Sequence, residues 1–356
     1  CLACHGPGAI PEPTARPLVH RADVCATCHD APPRYAHVMA WRESAMSGAH
    51  RTLASAASRV TIEPACLECH TAAGFVASTR GRAAPAAEVA MLEGVACATC
   101  HDPHRGDHVA MLRIHGSATV DGEQVTGLGS GAVCASCHRA GASGPGEGAT
   151  APAAGQLAML LGRGGLRADG SAFVGQTPHL GVPDACVGCH LERGSTNGHT
   201  FAAPALRPAS ATGSPPAAGA AVREPRCVPC HMRIDGLGSV QTDVETQLHD
   251  TQTAVDLALR RAQIPRCNAS AGTPHRMVVR GARFVVEDVD GRALGDCNAD
   301  GVLDPAEAGV PPFAQREAVL RAAWNVALVD RDRSRGAHNA SYARALLEAA
   351  RQALVP

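Results

Sequence analysis

The clearest chemistry in this sequence comes from cysteines and histidines that recur as Cys-x-x-Cys-His. The pattern occurs seven times and uses 14 of the 16 cysteines. Two thiols at this spacing can each form a thioether with one porphyrin, and the adjacent histidine can bind its iron. Zinc or disulfide formation would explain the cysteine pairs but not the histidine after each pair. We therefore predict seven covalently attached c-type haems. The motifs are Cys1, Cys4 and His5; Cys25, Cys28 and His29; Cys66, Cys69 and His70; Cys97, Cys100 and His101; Cys134, Cys137 and His138; Cys186, Cys189 and His190; and Cys227, Cys230 and His231.

The composition agrees with a chain that is built around these groups. Among 356 residues there are only 5 Phe, 2 Trp and 2 Tyr, which is little aromatic bulk for a conventional core. Porphyrin rings would supply the missing apolar volume. We expect a mainly α fold with a large fraction of loop and little β structure, wrapped around seven covalently bound haems.

Charge argues against nucleic acid as a partner, and hydropathy argues against a membrane-spanning segment. The formal net charge is −1, and every basic residue is Arg, without a basic stripe along the chain. This gives no reason to expect nucleic acid binding. No run approaches 18 uninterrupted apolar residues, so no transmembrane segment is predicted.

Eleven histidines lie outside the motifs, enough to give each haem iron a second axial ligand. An iron with two axial side chains has no open position and suits electron transfer, whereas an open position suits catalysis. His108, His249 and His275 have weaker local contexts and are assigned structural roles, and Met46 is an alternative ligand. The distal candidates are His20, His37, His50, His104, His115, His179, His199 and His338.

Several stretches resemble the soluble multihaem c-type cytochromes. This group includes pentahaem nitrite reductases, octahaem hydroxylamine and tetrathionate enzymes, and simple electron carriers. The resemblance implies that His338 is a distal ligand, without deciding the function. The similar stretches are Trp41-x-x-Ser44-x-Met46, Cys66 to Thr71, Gly94 to His104, His199-Thr200-Phe201, and a C-terminal part with Trp324-Asn325, Asp330, Ser334, Gly336, His338-Asn339 and Tyr342 to Leu347.

Departures from the enzymes of this group favour electron transfer over catalysis. The nitrite and tetrathionate enzymes use Lys at the active-site haem, but this sequence has no Lys. The hydroxylamine enzymes use eight haems and a Tyr cross-link, and here Tyr35 and Tyr342 are the available tyrosines. We predict long-range electron transfer through bis-His haems. Because the given chain opens on a haem motif, a neighbouring copy could cover that haem, as in the extracellular cytochrome nanowires of the resembling group. The alternatives are a periplasmic carrier, a redox-complex subunit, or a reductase of the nitrite or hydroxylamine class.

A second metal signal lies in the C-terminal third. The twelve residues from Asp296 to Glu307 match a calcium-binding loop, with Gly301 at the tight turn. The alternative is an acidic turn before a helix. Bound Ca²⁺ would be structural here. The predicted ligands are Asp296, Asn298, Asp300, the Val302 carbonyl, Asp304 and Glu307.

The two remaining cysteines, Cys267 and Cys297, bear on the cellular compartment. Haem c is attached outside the cytoplasm, where disulfides persist, so we expect these two to be bridged rather than free. Export implies that a leader has been removed. We therefore expect an extracellular or cell-surface location, with the periplasm as alternative. The expected partners are copies of itself in a filament, other redox cytochromes, or an extracellular electron acceptor.

The pattern along the chain suggests two regions. Residues 1–240 are predicted to form a heptahaem-binding region of short helices and loops. Residues 241–356 are predicted to form a helical cap that carries the calcium loop and His338. Within this cap the apolar periodicity predicts a short hairpin around Gly281 in 277–288. It also predicts helices over 244–262, 315–329 and 341–354.

Overall fold

The computed structural model describes fourteen segments of the chain. They are residues 21–30, 36–51, 64–86, 93–120, 122–139, 154–176, 178–191, 198–202, 227, 229–231, 237–261, 275–280, 283–288 and 313–355.

Helices dominate the described residues, and most of those before residue 237 are short, as predicted for a mainly α fold. Short 3₁₀ turns lie at Ala45–Gly48, Val109–Met111 and Gly198–Thr200. The α-helices are Ala22–His29 (α1), His37–Arg42 (α2), Pro64–His70 (α3), Ala72–Thr79 (α4), Cys97–Cys100 (α5), Ala132–Ala135 (α6), Gln156–Leu161 (α7), Cys186–His190 (α8), Leu237–Arg261 (α9), Phe313–Asp332 (α10) and Ala340–Ala353 (α11).

The β structure in the described segments is limited to three two-stranded sheets, which agrees with the prediction of little β. In the hairpin predicted around Gly281, Arg280 pairs with Arg283 and His275 with Asp288. The other two hairpins were not predicted. The strands are Gly116–Val120 (β1), Glu123–Gly129 (β2), Gly165–Leu166 (β3), Ala172–Phe173 (β4), His275–Arg280 (β5) and Arg283–Asp288 (β6).

The chain divides into two compact units. Unit 1 comprises residues 1–119, 123–137 and 182–204, and unit 2 comprises residues 120–122, 138–181 and 205–356. These units are defined by contacts, whereas the predicted regions 1–240 and 241–356 were defined by haem content. The boundary at residue 240 stays a prediction.

In unit 1, small apolar clusters surround motif cysteines. Val38 and Trp41 of α2 pack with Ala22 and against Cys25 and Cys97. The Trp41 indole N–H donates to the carbonyl oxygen of Val95 at 2.7 Å, which ties α2 to the segment before α5. The large aromatic ring therefore fills space beside two haem-attachment points.

Unit 2 contains a larger helical core. Trp324 and Leu328 recur at helical spacing on α10, and Leu346 and Leu347 lie on the facing side of α11. All four are nearly or fully buried, and α9 packs against both helices. The Asn339 side chain caps α11 by accepting a hydrogen bond from the Tyr342 amide at 3.1 Å. This core places the loop that carries His338 between two long helices.

The three predicted C-terminal helices are confirmed, with shifted ends. The helix expected to begin at residue 244 begins at Leu237. Its N-terminal part is held from outside, because the Gln241 side-chain amide donates to the carbonyl of Ser334 at 3.0 Å. Local periodicity does not report such a contact. No helix in the described residues is long and apolar enough to cross a membrane.

Candidate haem centres

Each described Cys-x-x-Cys-His motif forms about one helical turn. In the fourth motif the His101 amide donates to the Cys97 carbonyl at 2.9 Å, and in the seventh the His231 amide donates to the Cys227 carbonyl at 2.8 Å. Residues i, i+3 and i+4 of a helical turn lie on one face. The turn therefore presents both sulfurs and the imidazole to the same side, as attachment of one porphyrin requires. The motif helices are α1, α3, α5, α6 and α8.

Some predicted site residues lie outside the described residues. They include the first motif, one distal candidate, the calcium loop and the two cysteines expected to form a disulfide. These residues are Cys1, Cys4, His5, His20, Asp296, Asn298, Asp300, Val302, Asp304, Glu307, Cys267 and Cys297.

Three motif histidines face a distal candidate at one characteristic spacing. An imidazole nitrogen binds a metal at about 2 Å, and its ring centre lies roughly 1 Å behind that nitrogen, so two imidazoles on opposite faces of one iron have centres about 6 Å apart. The observed pairs fit this separation. The ring centres are 6.4 Å apart for His29 and His37, 6.3 Å for His101 and His199, and 6.1 Å for His179 and His231.

The motif histidines are also oriented for iron binding through one particular nitrogen. The Nδ1 atom of His101 lies 2.7 Å from the carbonyl oxygen of Ala110, and that of His70 lies 3.0 Å from the carbonyl oxygen of Ala49. A carbonyl oxygen only accepts, so Nδ1 carries the proton and the lone pair is on Nε2. Metal-binding histidines are typically held in this way.

The distal candidates of unit 2 show the same arrangement. His179 donates from Nδ1 to the carbonyl oxygen of His338 at 3.1 Å. His338 donates from Nδ1 to the Asp332 carboxylate at 2.5 Å, and the Ser334 hydroxyl donates to the other oxygen of that carboxylate. Both imidazoles therefore keep Nε2 for a metal. Asp332 was not predicted as a site residue, although an acidic residue six positions before a candidate ligand was the available signal.

Cysteines from different motifs contact one another in unit 1. The Cys97 thiol donates a hydrogen bond to Cys25 and lowers the pKa of that thiol to about 7, before any haem is attached. Cys134 and Cys186 form a second such contact, which, together with burial, raises the pKa of Cys134. These sulfurs are where porphyrin edges attach. The contacts thus place the second motif beside the fourth and the fifth beside the sixth.

A shared apolar cluster links these two pairs. Phe75, Leu112 and Val133 pack together, and Cys100 and Cys134 pack against them. Burial raises the pKa of the Cys100 thiol to about 11. The fourth and fifth motifs therefore attach to one small core.

Two distal candidates touch each other in unit 1. The ring centres of His37 and His199 are 4.8 Å apart. Burial, followed by the neighbouring His37 and His101, lowers the pKa of His199 to about 4. A neutral imidazole is the form that binds a metal, so this environment suits a ligand.

The remaining distal candidates are less closely defined. His104 is exposed, with Nδ1 3.4 Å from Asp102. His115 is exposed, and its ring centre lies 6.3 Å from that of His108, for which a structural role was predicted. The Nδ1 atom of His50 is buried and has no hydrogen-bond partner among the described residues. In the described segments, the ring contacts that define the three facing pairs do not include His50 or His115.

Several haems can lie close together, with little protein between them, when their motifs are in direct contact and their imidazoles face each other in pairs. This arrangement is what the predicted multihaem c-type cytochrome requires, and comparisons with known proteins support that prediction. Residues 24–102 match the family described as cytochrome c554 and c-prime. This range includes the second, third and fourth motifs.

Two solved structures are similar over the whole of this chain. One is described as the outer cell wall cytochrome OcwA, with 19% identity, a TM-score of 0.59 and 70% of that chain covered. The other is an undecaheme cytochrome from the S-layer of Carboxydothermus ferrireducens, with 18% identity, a TM-score of 0.54 and 50% of that chain covered. No curated protein sequence matches the chain. These likenesses support the fold, and the haem count of seven stays a prediction.

Proposed function

We propose that this protein transfers electrons over a long distance at the cell surface. Bound haem supplies an iron that takes up and releases one electron. The carrying observation is that the attachment cysteines of different motifs touch, as Cys25 and Cys97 do. Contact at the attachment points brings the second motif's porphyrin edge next to the fourth's. Such short separations suit rapid electron transfer.

The contacts suggest an order within unit 1. It runs from the second motif to the fourth through Cys25 and Cys97, and from the fifth to the sixth through Cys134 and Cys186. The cluster of Phe75, Leu112 and Val133 joins these halves. The third motif lies beside the fifth in this line, because the Cys137 sulfur is 4.0 Å from the carbonyl oxygen of Glu68, between the two cysteines of the third motif.

We assign three distal ligands from the facing rings. His37 serves the haem of His29, His199 that of His101, and His179 that of His231. The four other haems, those of His5, His70, His138 and His190, draw their distal ligands from five remaining candidates: His20, His50, His104, His115 and His338. With two imidazoles on each iron, the protein's side chains leave no position for a substrate.

A spectroscopic experiment on the ferric holoprotein tests this proposal. Low-temperature EPR should show low-spin signals alone, and the haem content should be seven per chain. Stopped-flow reduction should then reduce all haems without a slow isolated fraction. A high-spin signal, or a haem that remains ferric long after the others, would contradict a continuous bis-His path. A high-spin signal together with nitrite or hydroxylamine turnover would instead favour the reductase alternative.

Two relatives in structure are described as outer-cell-wall and S-layer cytochromes, which supports a surface location for this chain. Protease shaving of intact cells, followed by haem staining of the released protein, tests that location. Haem protein that is protected in intact cells but released with the periplasm would overturn it.

The filament remains the more specific form of the proposal. A nanowire subunit would continue the haem path from one copy to the next. Negative-stain images of native material separate the possibilities directly. Filaments support polymerisation, isolated particles support a carrier, and particles that contain other subunits support a redox complex.

A further inference from the structure

The loop between α10 and α11 holds a buried carboxylate against a haem-ligand candidate. The Asp332 side chain is 1% exposed, and its Oδ1 lies 2.5 Å from Nδ1 of His338. The His338 ring itself is 24% exposed, so its Nε2 side can face a ligand. A carboxylate only accepts hydrogen bonds, which fixes the proton on Nδ1.

Other contacts hold this pair in place. The Ser334 hydroxyl donates to Oδ2 of Asp332 and accepts from the His338 amide at 3.1 Å. Arg333 and Arg335 both have positive φ, at 61° and 54°. This backbone region is disfavoured for residues other than glycine, so the surrounding contacts must maintain it. The loop is thus shaped to bring Asp332 and His338 together.

The chemical nature of the acceptor distinguishes His338 from the motif histidines His70 and His101. The Nδ1 protons of His70 and His101 are donated to neutral carbonyl oxygens of Ala49 and Ala110. A hydrogen bond to an ionised acceptor is roughly twice as strong as one between neutral groups. It shifts electron density toward Nε2 and raises the basicity of the ligand. A more basic ligand stabilises ferric over ferrous iron.

We infer that Asp332 is a positioning residue that orients His338 and lowers the reduction potential of the haem that His338 binds. The inference rests on the proposed function, since it requires His338 to be an axial ligand. Reduction adds one electron to that iron, and no bond to Asp332 or His338 is made or broken. The His338 carbonyl also accepts from His179, so the same loop orients a second ligand.

The test compares the wild-type holoprotein with Asp332→Asn in a potentiometric titration followed by EPR and visible spectra. The amide retains an acceptor oxygen but removes the charge. We expect one haem to become easier to reduce by at least tenfold in its equilibrium constant, which is 59 mV for one electron. Its spectrum should remain low-spin. His338→Met identifies this haem, because it alters the spectrum of the same transition.

Two further variants provide controls. Asp243→Asn removes a carboxylate from an exposed ion pair with Arg344 in the same unit, and no transition should shift tenfold. Ser334→Ala removes a donor from Asp332, which leaves that carboxylate a stronger acceptor. The reduction potential of the haem identified by His338→Met should therefore fall, whereas Asp332→Asn should raise it.

Unchanged potentials in Asp332→Asn, with full haem content, overturn the inference and leave the electron-transfer proposal intact. If Asp332→Asn fails to retain its haems, Ser334→Ala decides between the outcomes. A lower reduction potential of the haem identified by His338→Met supports the inference, and an unchanged potential overturns it. A wild-type protein with high-spin or irreducible haems would instead contradict the proposed function.

Discussion

The imidazole rings of His37 and His199 lie in contact, with their centres 4.8 Å apart, although the two residues are far apart in the sequence. Each ring also faces a motif histidine, His29 in one case and His101 in the other. The distal sides of two haem sites therefore meet at this point in unit 1. This relationship makes the ligand assignment testable by substitution.

His199→Met should raise the reduction potential of the haem attached at Cys97 and Cys100. A thioether donates less to ferric iron than an imidazole, and Met/His ligation raises haem potentials. We expect at least a tenfold change in the reduction equilibrium, or about 59 mV. A potentiometric titration measures it. His249→Met, at an exposed position of α9, is the control, and equal titration curves for both variants would refute the assignment.

Gly94 allows the segment before α5 to approach His50 closely. A Cβ atom at this position would lie 2.7 Å from Nδ1 of His50 and 2.9 Å from the Ser47 carbonyl oxygen. Gly94→Ala should therefore lower the free energy of unfolding by about 1–3 kcal/mol, as overpacking does. Chemical denaturation of the holoprotein measures the change. Gly106→Ala, whose Cβ meets nothing within 4 Å, should have a much smaller effect. Similar losses in both variants would argue against this close approach.

Asn325 on α10 fastens strand β3 to the helical core. Its side chain accepts from the Leu166 amide at 2.9 Å and donates to the Leu166 carbonyl at 2.7 Å. Asn325→Ala leaves both buried backbone groups without these partners, at about 1–3 kcal/mol for each. Gln352→Ala, which removes a bond to exposed Glu348, is the control. Denaturation midpoints that fall equally in the two variants would contradict the role of Asn325.

The sequence was most informative where chemistry or periodicity is local. Cys-x-x-Cys-His is read within five residues, and the apolar spacing of α10 and α11 is read within a few turns. The hairpin of β1 and β2 was not predicted, although Asp121-Gly122 between alternating residues is a recognised turn signal. This hairpin was missed because loops were expected around the haem motifs.

Other features depend on contacts between distant residues. The pairing of His101 with His199, and the contact of Cys25 with Cys97, join segments that no local pattern relates. The partner of His338 was missed for a different reason. Asp332 is close to His338 in sequence, but its role depends on a loop in which Arg333 and Arg335 have positive φ. Arginine at a position does not indicate such a backbone conformation.

The calcium loop from Asp296 to Glu307 stays a prediction with a direct test. Ca²⁺ that binds the folded state should stabilise it by about 2.7 kcal/mol at a concentration 100 times its Kd. EGTA should therefore lower the Tm, and Asp300→Asn should remove this sensitivity. Asp169→Asn, which changes an exposed carboxylate elsewhere, should retain it. Equilibrium dialysis that finds no bound calcium in the wild type would remove the site.

Tyr342 gives this protein a specific sensitivity to alkaline pH. Its hydroxyl donates to the Phe173 carbonyl at 2.8 Å and accepts from the Gly165 amide at 2.9 Å. Burial raises the pKa of Tyr342 from 10.0 to about 12. The unfolded state therefore loses this proton at lower pH than the folded state.

The sign of the effect follows from proton binding. Between pH 10 and 12 the folded state holds the Tyr342 proton and the unfolded state does not, so stability falls as pH rises. At about 1.4 kcal/mol per pH unit, the loss reaches about 2 kcal/mol at pH 12, where the folded state also begins to lose the proton. The absence of Lys makes this range unusually free of other titrations, since Tyr35 is the remaining tyrosine.

Denaturation of wild type and Tyr342→Phe across this range isolates the contribution. Tyr342→Phe should be less stable at pH 8, where Gly165 loses its acceptor, but should decline less above pH 10. Parallel pH profiles for the two proteins would show that Tyr342 does not carry this dependence.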